Sequence, residues 1–533
     1  MRTHHSIVNA RSTRPRAVTA AVALLVLVSA LSGCAVGPKF VKPDAALNEG
    51  WSEKSDPRLA TQTDPDSAWW RAFNDSTLNR LIQLAYRQNL PLQVSGLRIL
   101  EARAQLGIAV GRQYPQIQAA FGNATGVGLS EHAANSFGLD RYFWDYQAGF
   151  DAFWELDFWR KYGRDVQAET ARYLATVADY DNALVSLTAE VARTYAIIRT
   201  FEVLIDQARR NATLQEEGLR IADSRFRNGA TSELDVTQAT TLLESTRSTI
   251  PRLEIGLLQS QNALCTLLGQ PTGTVQAMLA GSRGIPAAPA VVAVSVPAEL
   301  LRRRPDIRGA ELYAAAQCAR IGVAQADLYP RLALFGQIGT QTSSGTPSGA
   351  SFSNIFGAGS FFYAFGPRLI WPIFNYGRIK NNVRVQDARF QQLLVEYDNA
   401  VLKAGQEVED GLAGFLKAQE AAAASQKAAA GAQRSVELAV VQYREGAVDY
   451  QRVLDAQRSL LQEENTLAQT QSSIATNLIS LYKALGGGWE LRKGQPVVPE
   501  STQVEMKRRT NWGDLISTPP APETSNGSTP TDR

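Results

Sequence analysis

Residues 166–226 read VQAETARYLATVADYDNALVSLTAEVARTYAIIRTFEVLIDQARRNATLQEEGLRIADSRF, with no proline and a single glycine, Gly218. Their apolar residues recur at alternating steps of three and four: Tyr173, Val177, Tyr180, Leu184, Leu187, Val191, Thr194, Ile198, Phe201, Ile205, Ala208, Ala212, Gln215, Leu219, Ala222 and Phe226. Thr194 and Gln215 are the polar exceptions in what is otherwise a heptad seam. The pattern predicts one helix over 163–227, about 100 Å long at 1.5 Å per residue. A globular core does not bury such a rod, so other rods must lie against it. The exit is Arg225-Phe226-Arg227-Asn228-Gly229-Ala230-Thr231-Ser232. Gly229 suits a left-handed C′ position, and Ser232, three before Asp235, reads as the N-cap of the next helix, 233–268.

The same plan returns 217 positions later. Tyr180-Asp181-Asn182-Ala183 becomes Tyr397-Asp398-Asn399-Ala400, and Phe226-Arg227-Asn228-Gly229-Ala230 becomes Tyr443-Arg444-Glu445-Gly446-Ala447. A second seam runs through Phe390, Leu394, Tyr397, Val401, Ala404, Val408, Gly411, Phe415, Ala418 and Ala422. It is richer in alanine and glycine, so its partner can approach closely. The predicted repeats span 76–270 and 297–485. Each holds a helix of about 22 residues, two strands, a long helix (163–227; 377–444) and one of about 36 (233–268; 449–485). The two shorter helices nearly sum to the long one, so stacked end to end they can run beside it. Two cysteines, Cys265 and Cys318, stand alone in helical patterns and read as small packing residues, with a disulfide between them open in an oxidising compartment.

The strand segments are 116–130 and 142–158 in the first repeat and 331–342 and 361–374 in the second. In the clearest, Trp144, Tyr146, Ala148, Phe150, Ala152, Trp154, Leu156 and Phe158 share one face, opposite Asp145, Gln147, Gly149, Asp151, Phe153, Glu155 and Asp157. In the first, Ile117, Ala119, Phe121, Asn123, Thr125, Val127 and Leu129 form the apolar set. Such alternation, with aromatics at the ends, is the pattern of a transmembrane barrel with lipid outside and water inside. Four strands cannot close, so several copies must combine: two give eight strands and little lumen, three give twelve and a channel. A soluble pair of hairpins on a helical stalk is the bland alternative.

The first 33 residues carry Arg2, Arg11, Arg14 and Arg16, no acid, and an apolar run from Ala17 to Ala30: a secretory signal. Without it the formal charge of +3 falls to about −1, which gives nucleic acid no purchase. No later apolar run is long enough for a spanning helix. The signal ends Leu31-Ser32-Gly33-Cys34-Ala35, which resembles the lipobox of bacterial lipoproteins; Cys34 is then the acylated N-terminus, and Ala35 resembles the outer-membrane sorting pattern. Residues 37–43, with two prolines, read as an extended tether, 44–66 as polar loop, 271–296 as linker, and the tail from Ser501 as disordered.

Taken together, Cys34-Ala35-Val36-Gly37-Pro38, Trp69-Trp70 with Phe73 and Asp75, Trp154-Glu155-Leu156-Asp157, Arg304-Pro305-Asp306-Ile307, Tyr443-Arg444-Glu445-Gly446 with Val453-Leu454-Asp455-Ala456-Gln457-Arg458, and Leu485-Gly486-Gly487-Gly488-Trp489 span nearly the whole mature chain. In this order the chain resembles the outer-membrane factor lipoproteins of tripartite efflux systems, the TolC/OprM/NodT-like family. The resemblance implies a mainly α fold with a membrane β-barrel: a homotrimer with a twelve-stranded barrel in outer-membrane lipid, a long periplasmic α-barrel, and an equatorial belt from residues near 44–75, 271–296 and 486–500. It implies a passive exit duct for small molecules such as drugs, served by an inner-membrane pump and a periplasmic adaptor.

The resemblance also implies a closed iris of helix tips, narrowed by acidic residues of the last helix. The matching position is Asp455, with Gln451 one turn earlier where relatives hold an apolar residue; the first repeat has Gln238 in place of Asp455. The family's latch arginine, just before the Tyr-Arg-x-Gly turn, falls on Gln442, so that latch is missing at its expected place. The turns at Gly229-Ala230 and Gly446-Ala447 are explained by hairpin chemistry alone or, in addition, by docking of an adaptor. Catalysis has no carrier: the mature chain has one histidine, His132, and no nucleophile triad, zinc spacing or nucleotide loop. No cofactor is expected. A duct for a secretion or polysaccharide-export machine, and a non-conducting envelope tether, are the competing functions.

Overall fold

The computed structural model describes residues 35–44, 48, 50–61, 68–132, 140–281, 283–294, 303–345 and 351–516. The predicted signal peptide, Cys34, and the chain beyond 516 lie outside the described residues. In order, the main elements are β1 (Leu59–Thr61), α1 (Ser76–Gln88), α2 (Leu90–Gly111), β2 (Ile117–Gly128), β3 (Tyr142–Glu155), α3 (Lys161–Arg227), α4 (Glu233–Leu267), α5 (Gln276–Leu279), β4 (Val292–Val294), α6 (Pro305–Ala326), β5 (Arg331–Ser343), β6 (Phe361–Ile370), α7 (Arg378–Arg444), α8 (Tyr450–Ala484) and α9 (Glu500–Arg509). The long helices α3 and α7 have 67 residues each, about 100 Å of helix. The chain divides into two compact units: one holds residues up to Lys42, 104–172 and 313–393, the other 43–103, 173–312 and 394 onward. Four of the boundaries fall inside continuous helices, α2, α3, α6 and α7, and the one at 42/43 falls in the tether.

In the first unit, β2, β3, β5 and β6 form one antiparallel sheet in the order β2-β3-β5-β6. The register pairs Ala120 with Phe150, Phe150 with Ile338, and Ile338 with Tyr363, so these share a face. Along that face lie Trp144, Tyr146, Trp154, Leu334, Phe361 and Phe365. It is exposed, Phe150 at 66% and Phe365 at 78%. Asp145, Gln147, Asp151, Glu155, Gln337, Gln341 and Arg368 lie on the other face.

For β2 the structure corrects the expected phase. Its apolar set, Ile117, Phe121 and Val127, pairs with Phe153, Gly149 and Phe143 and therefore sits on the face of Asp145 and Asp151. The small residues Ala120, Gly122, Ala124 and Gly126 lie beneath the aromatics instead, Gly126 under the Trp144 ring. Alternation within one strand does not say which face its neighbours share; the register does.

Two further corrections belong to this unit. Asp157 is not on the strand face: its carboxylate accepts the backbone N–H groups of Tyr162 at 3.0 Å and Gly163 at 2.7 Å, and so starts α3. The tether after Cys34 is docked, not loose. Arg164 donates to the carbonyls of Val36 and Gly37, both at 3.3 Å, and Gly37 lies against Gly322 of α6. The Cys318 thiol reaches the Pro38 carbonyl at 3.7 Å, and burial pushes its pKa up. Cys318 and Cys265 are both buried and free, so the open disulfide is not formed.

In the second unit the α3 seam is buried from Tyr173 to Ala222, apart from half-buried Phe201 and Leu219. The alanine-rich α7 seam does admit a close neighbour: a side chain at Gly411 would meet the Leu481 Cα of α8 at 3.1 Å. Trp69, Trp70, Leu78, Leu81 and Ile82 are buried around α1, with the Trp69 ring stacked on Tyr482 of α8 at 5.3 Å. The α1 N-cap Asp75 accepts the N–H groups of Thr77 and Leu78 and the Tyr195 hydroxyl at 2.6 Å. Fully buried Asp181 accepts from Arg492 at 2.5 and 3.1 Å and from Arg308 at 2.6 Å, whereas its repeat mate Asp398 is exposed. The repeat thus keeps residues whose environments differ.

Segments expected to be irregular carry structure here. Leu59–Thr61, in the polar loop, pairs in parallel with Val292–Val294, in the linker. The expected disordered tail folds as far as Ile516: α9 and the turn after it bury Met506 and Ile516 against Leu100 and Val498. A few apolar residues spaced widely in a polar stretch were enough to anchor it.

Candidate functional site

The turns α3–α4 and α7–α8 are built alike. Ala230 N–H donates to the Arg225 carbonyl at 2.8 Å and Gly229 N–H to the Phe226 carbonyl at 2.9 Å; Ala447 to Gln442 and Gly446 to Tyr443 repeat this at 2.8 and 3.0 Å. This is a Schellman closure, and it needs the positive φ of Gly229 (70°) and Gly446 (76°). Gly229, Ala230, Gly446 and Ala447 are all exposed. Ser232 occupies the N-cap position of α4 without a side-chain cap bond. Asp235 instead accepts the Thr231 hydroxyl, and the Tyr443 hydroxyl at 3.1 Å. Asp449 does cap α8, through Arg452 N–H.

The two tips are packed together by Ala222, Ala239, Leu242, Ala439, Tyr443, Tyr450, Val453 and Leu454. The rings of Tyr443 and Tyr450 meet edge on at 5.0 Å, and burial raises the pKa of both phenols. Gly218 lets α8 come close to α3: a side-chain carbon there would meet the Tyr450 hydroxyl at 3.1 Å and Gln457 Nε2 at 3.2 Å.

Arg225 joins the two turns. Its guanidinium donates to the carbonyls of Tyr443, Arg444 and Ala230, and lies over the Tyr443 ring at 4.7 Å from the centroid. A cation against the last carbonyls of α7 also complements that helix's dipole. Gln442, where an arginine was expected, is exposed and contributes only its backbone carbonyl to the turn. Arg225 is the counterpart of Gln442 at the offset of 217, so the repeat alignment held the signal for a residue that the single-motif reading missed.

Asp455 and Gln451 are brought together on the exposed face of α8, Gln451 Nε2 donating to Asp455 Oδ1 at 2.9 Å. Gln238, at the matching place in α4, is half-buried. Cys34 is outside the described residues, two positions before the docked Val36. His132 is exposed beside the β2–β3 connection. Among the described residues no group of three or more metal-ligating side chains converges, and no helix is long and apolar enough to cross a membrane.

The profile of the family described as outer membrane efflux protein matches residues 81–270 and 296–487. The cation efflux system protein CusC of Escherichia coli O6:H1 is 30% identical over 462 residues, covering 86% of this chain and 97% of that one. Nodulation protein T of Rhizobium leguminosarum bv. viciae is 30% identical over 475 residues, covering 89% and 94%. The solved structure of the outer-membrane channel OprN superposes with a TM-score of 0.79 at 29% identity, covering 86% of this chain and all of that one. Two interrupted matches, one per repeat, therefore account for most of the chain, and the aromatic sheet face and paired helix tips have their place in it: the chain belongs to the outer membrane efflux proteins, a TolC-like family of channels and not of enzymes, and serves as an exit duct in the outer membrane.

Proposed function

We propose that three copies of this chain close one twelve-stranded barrel and one bundle of helix tips, and that the assembly is the passive last segment of a tripartite efflux pump. The observation that carries this reading is the four-stranded sheet, exposed and aromatic on one face and bearing all the charged side chains of its strands on the other, with β2 and β6 as open edges among the described residues. A bilayer tolerates no open edge, and single-chain barrels begin at eight strands. Three sheets give the aromatic face to lipid and the polar face to a water-filled bore.

Acylated Cys34 anchors each copy, and the docking of Val36 and Gly37 in the same unit as the sheet supports an anchor held on the membrane side. Segments near 44–75, 271–296 and 486–500 form the belt. At the tips Asp455 and Gln451 narrow the iris, and Arg225 holds the turns of each copy together. Three Asp455 carboxylates around one axis attract cations and disfavour anions. The exposed turns at Gly229-Ala230 and Gly446-Ala447 receive the periplasmic adaptor, which opens the iris, while the inner-membrane pump supplies energy and chooses cargo. Relatives named for cation efflux and for nodulation share the fold, which fits a duct whose cargo is set by its partners.

Native mass spectrometry of detergent-extracted protein tests the assembly. The account expects three processed chains, each beginning at Cys34 and carrying acyl mass. Monomers or dimers, or an unacylated N-terminus, would contradict it.

A further inference from the structure

The polar face of the sheet carries two four-strand rows without a polar side chain, one of Ile117, Phe153, Phe335 and Gly366 near the start of β2 and a second farther along. The register places Phe121, Gly149, Gly339 and Phe362 side by side across all four strands. At Gly149 a side-chain carbon would stand 2.5 Å from the Ile338 carbonyl oxygen, 2.9 Å from Gly339 Cα and 3.0 Å from Phe121 Cε1. At Gly339 the same construction gives 2.5 Å to the Ala148 oxygen, 3.0 Å to Gly149 Cα and 3.1 Å to Phe362 Cε1. The two glycines therefore let β3 and β5 approach, and each neighbouring ring reaches into the space a side chain would take. The next row on the same face holds Asp151 and Gln337, and the row on the other side holds Asn123, Gln147 and Gln341.

An apolar surface bordered by a carboxylate and amides is suited to planar aromatic cations: rings stack on Phe121 and Phe362, and the Asp151 charge attracts the cation. We propose that this row is a solute-contact belt on the barrel wall, taking planar aromatic cations in transit, with Gly149 and Gly339 required to lay the two rings along the wall. The belt rests on the trimeric-barrel reading above, which turns this face toward the bore.

The test uses Asn123→Cys as a reporter one row from the belt, since Cys265 and Cys318 are buried. Intact cells are treated from outside with a charged, membrane-impermeant maleimide, with and without millimolar ethidium as the planar cation. The belt predicts rapid labelling that ethidium slows at least fivefold. The slowing is lost in Phe121→Ser/Phe362→Ser and kept in Phe121→Tyr/Phe362→Tyr. Equal protection in the serine and tyrosine variants, or no protection in the parent, overturns the belt while leaving the barrel standing. A position 123 thiol that the aqueous reagent does not reach, in protein that is present as trimers, overturns the assignment of this face to the bore. Absence of trimers overturns the reading beneath both.

Discussion

Replacing Arg225 by alanine should loosen the tips. The side chain is half-buried and contributes charge-assisted hydrogen bonds to the end of α7 together with a cation–π contact on Tyr443. Charge-assisted bonds are worth ~1.5–3 kcal/mol and an exposed cation–π contact ~0.5–1 kcal/mol. Water reaches the vacated carbonyls and returns part of this, so the net loss is about 2 kcal/mol. If opening separates the two turns of a protomer, the open-to-closed ratio rises about 30-fold, at roughly 1.4 kcal/mol per factor of ten. The assay is open probability in single-channel recordings of reconstituted protein. Arg225→Lys keeps the charge but loses the planar fork, and should fall between wild type and alanine. Tyr443→Phe keeps the ring but removes the hydroxyl that bonds Asp235 and Thr231, and should shift the ratio by about fivefold, the worth of ~1 kcal/mol. Folded Arg225→Ala trimers with the open probability of wild type would refute the clasp.

Asp181→Ala leaves Arg492 and Arg308 facing a buried void and should cost ~3–5 kcal/mol in unfolding, whereas Asp398→Ala, its exposed repeat mate, should stay within about 0.5 kcal/mol; denaturant titration of the two variants compares them. Gly218→Val forces a side chain between α3 and the Tyr450–Gln457 face of α8 and should cost ~1–3 kcal/mol, read as a lower Tm with faster proteolysis at the tips. Glu490 has its carboxyl pKa raised by burial, against the pull of Arg303. Its stabilising neutral form is complete below the ordinary value of 4.5 and is lost as pH climbs through the raised one. Glu490→Gln escapes that loss, so its Tm relative to wild type should improve between pH 4 and pH 7; a pH-independent difference would contradict the shift.

What was legible in the sequence was what repeats. The heptad seam of α3 needed only local spacing, and the offset of 217 transferred it to α7 together with the glycine turn. Strand existence was equally local, because alternation is. Three things depended on contacts between distant segments and were not. The phase of β2 is set by its register with β3, so Phe121 was assigned to the wrong face. The pairing of Leu59–Thr61 with Val292–Val294 joins two short runs across the whole of the first repeat. The fold of the tail rests on Met506 and Ile516 meeting Leu100, a partner about 400 residues away. Arg225 stands between these cases: its spacing was visible, but two of its three partner carbonyls lie in the other repeat, where the matching residue is Gln442.

Whether the chain makes a conducting duct is read from planar-bilayer recording of purified, reconstituted trimers. Discrete current steps are expected, one per trimer, with cation preference that weakens in Asp455→Ala as open probability rises. Folded trimers that carry no current, in wild type and in Asp455→Ala alike, would contradict the duct.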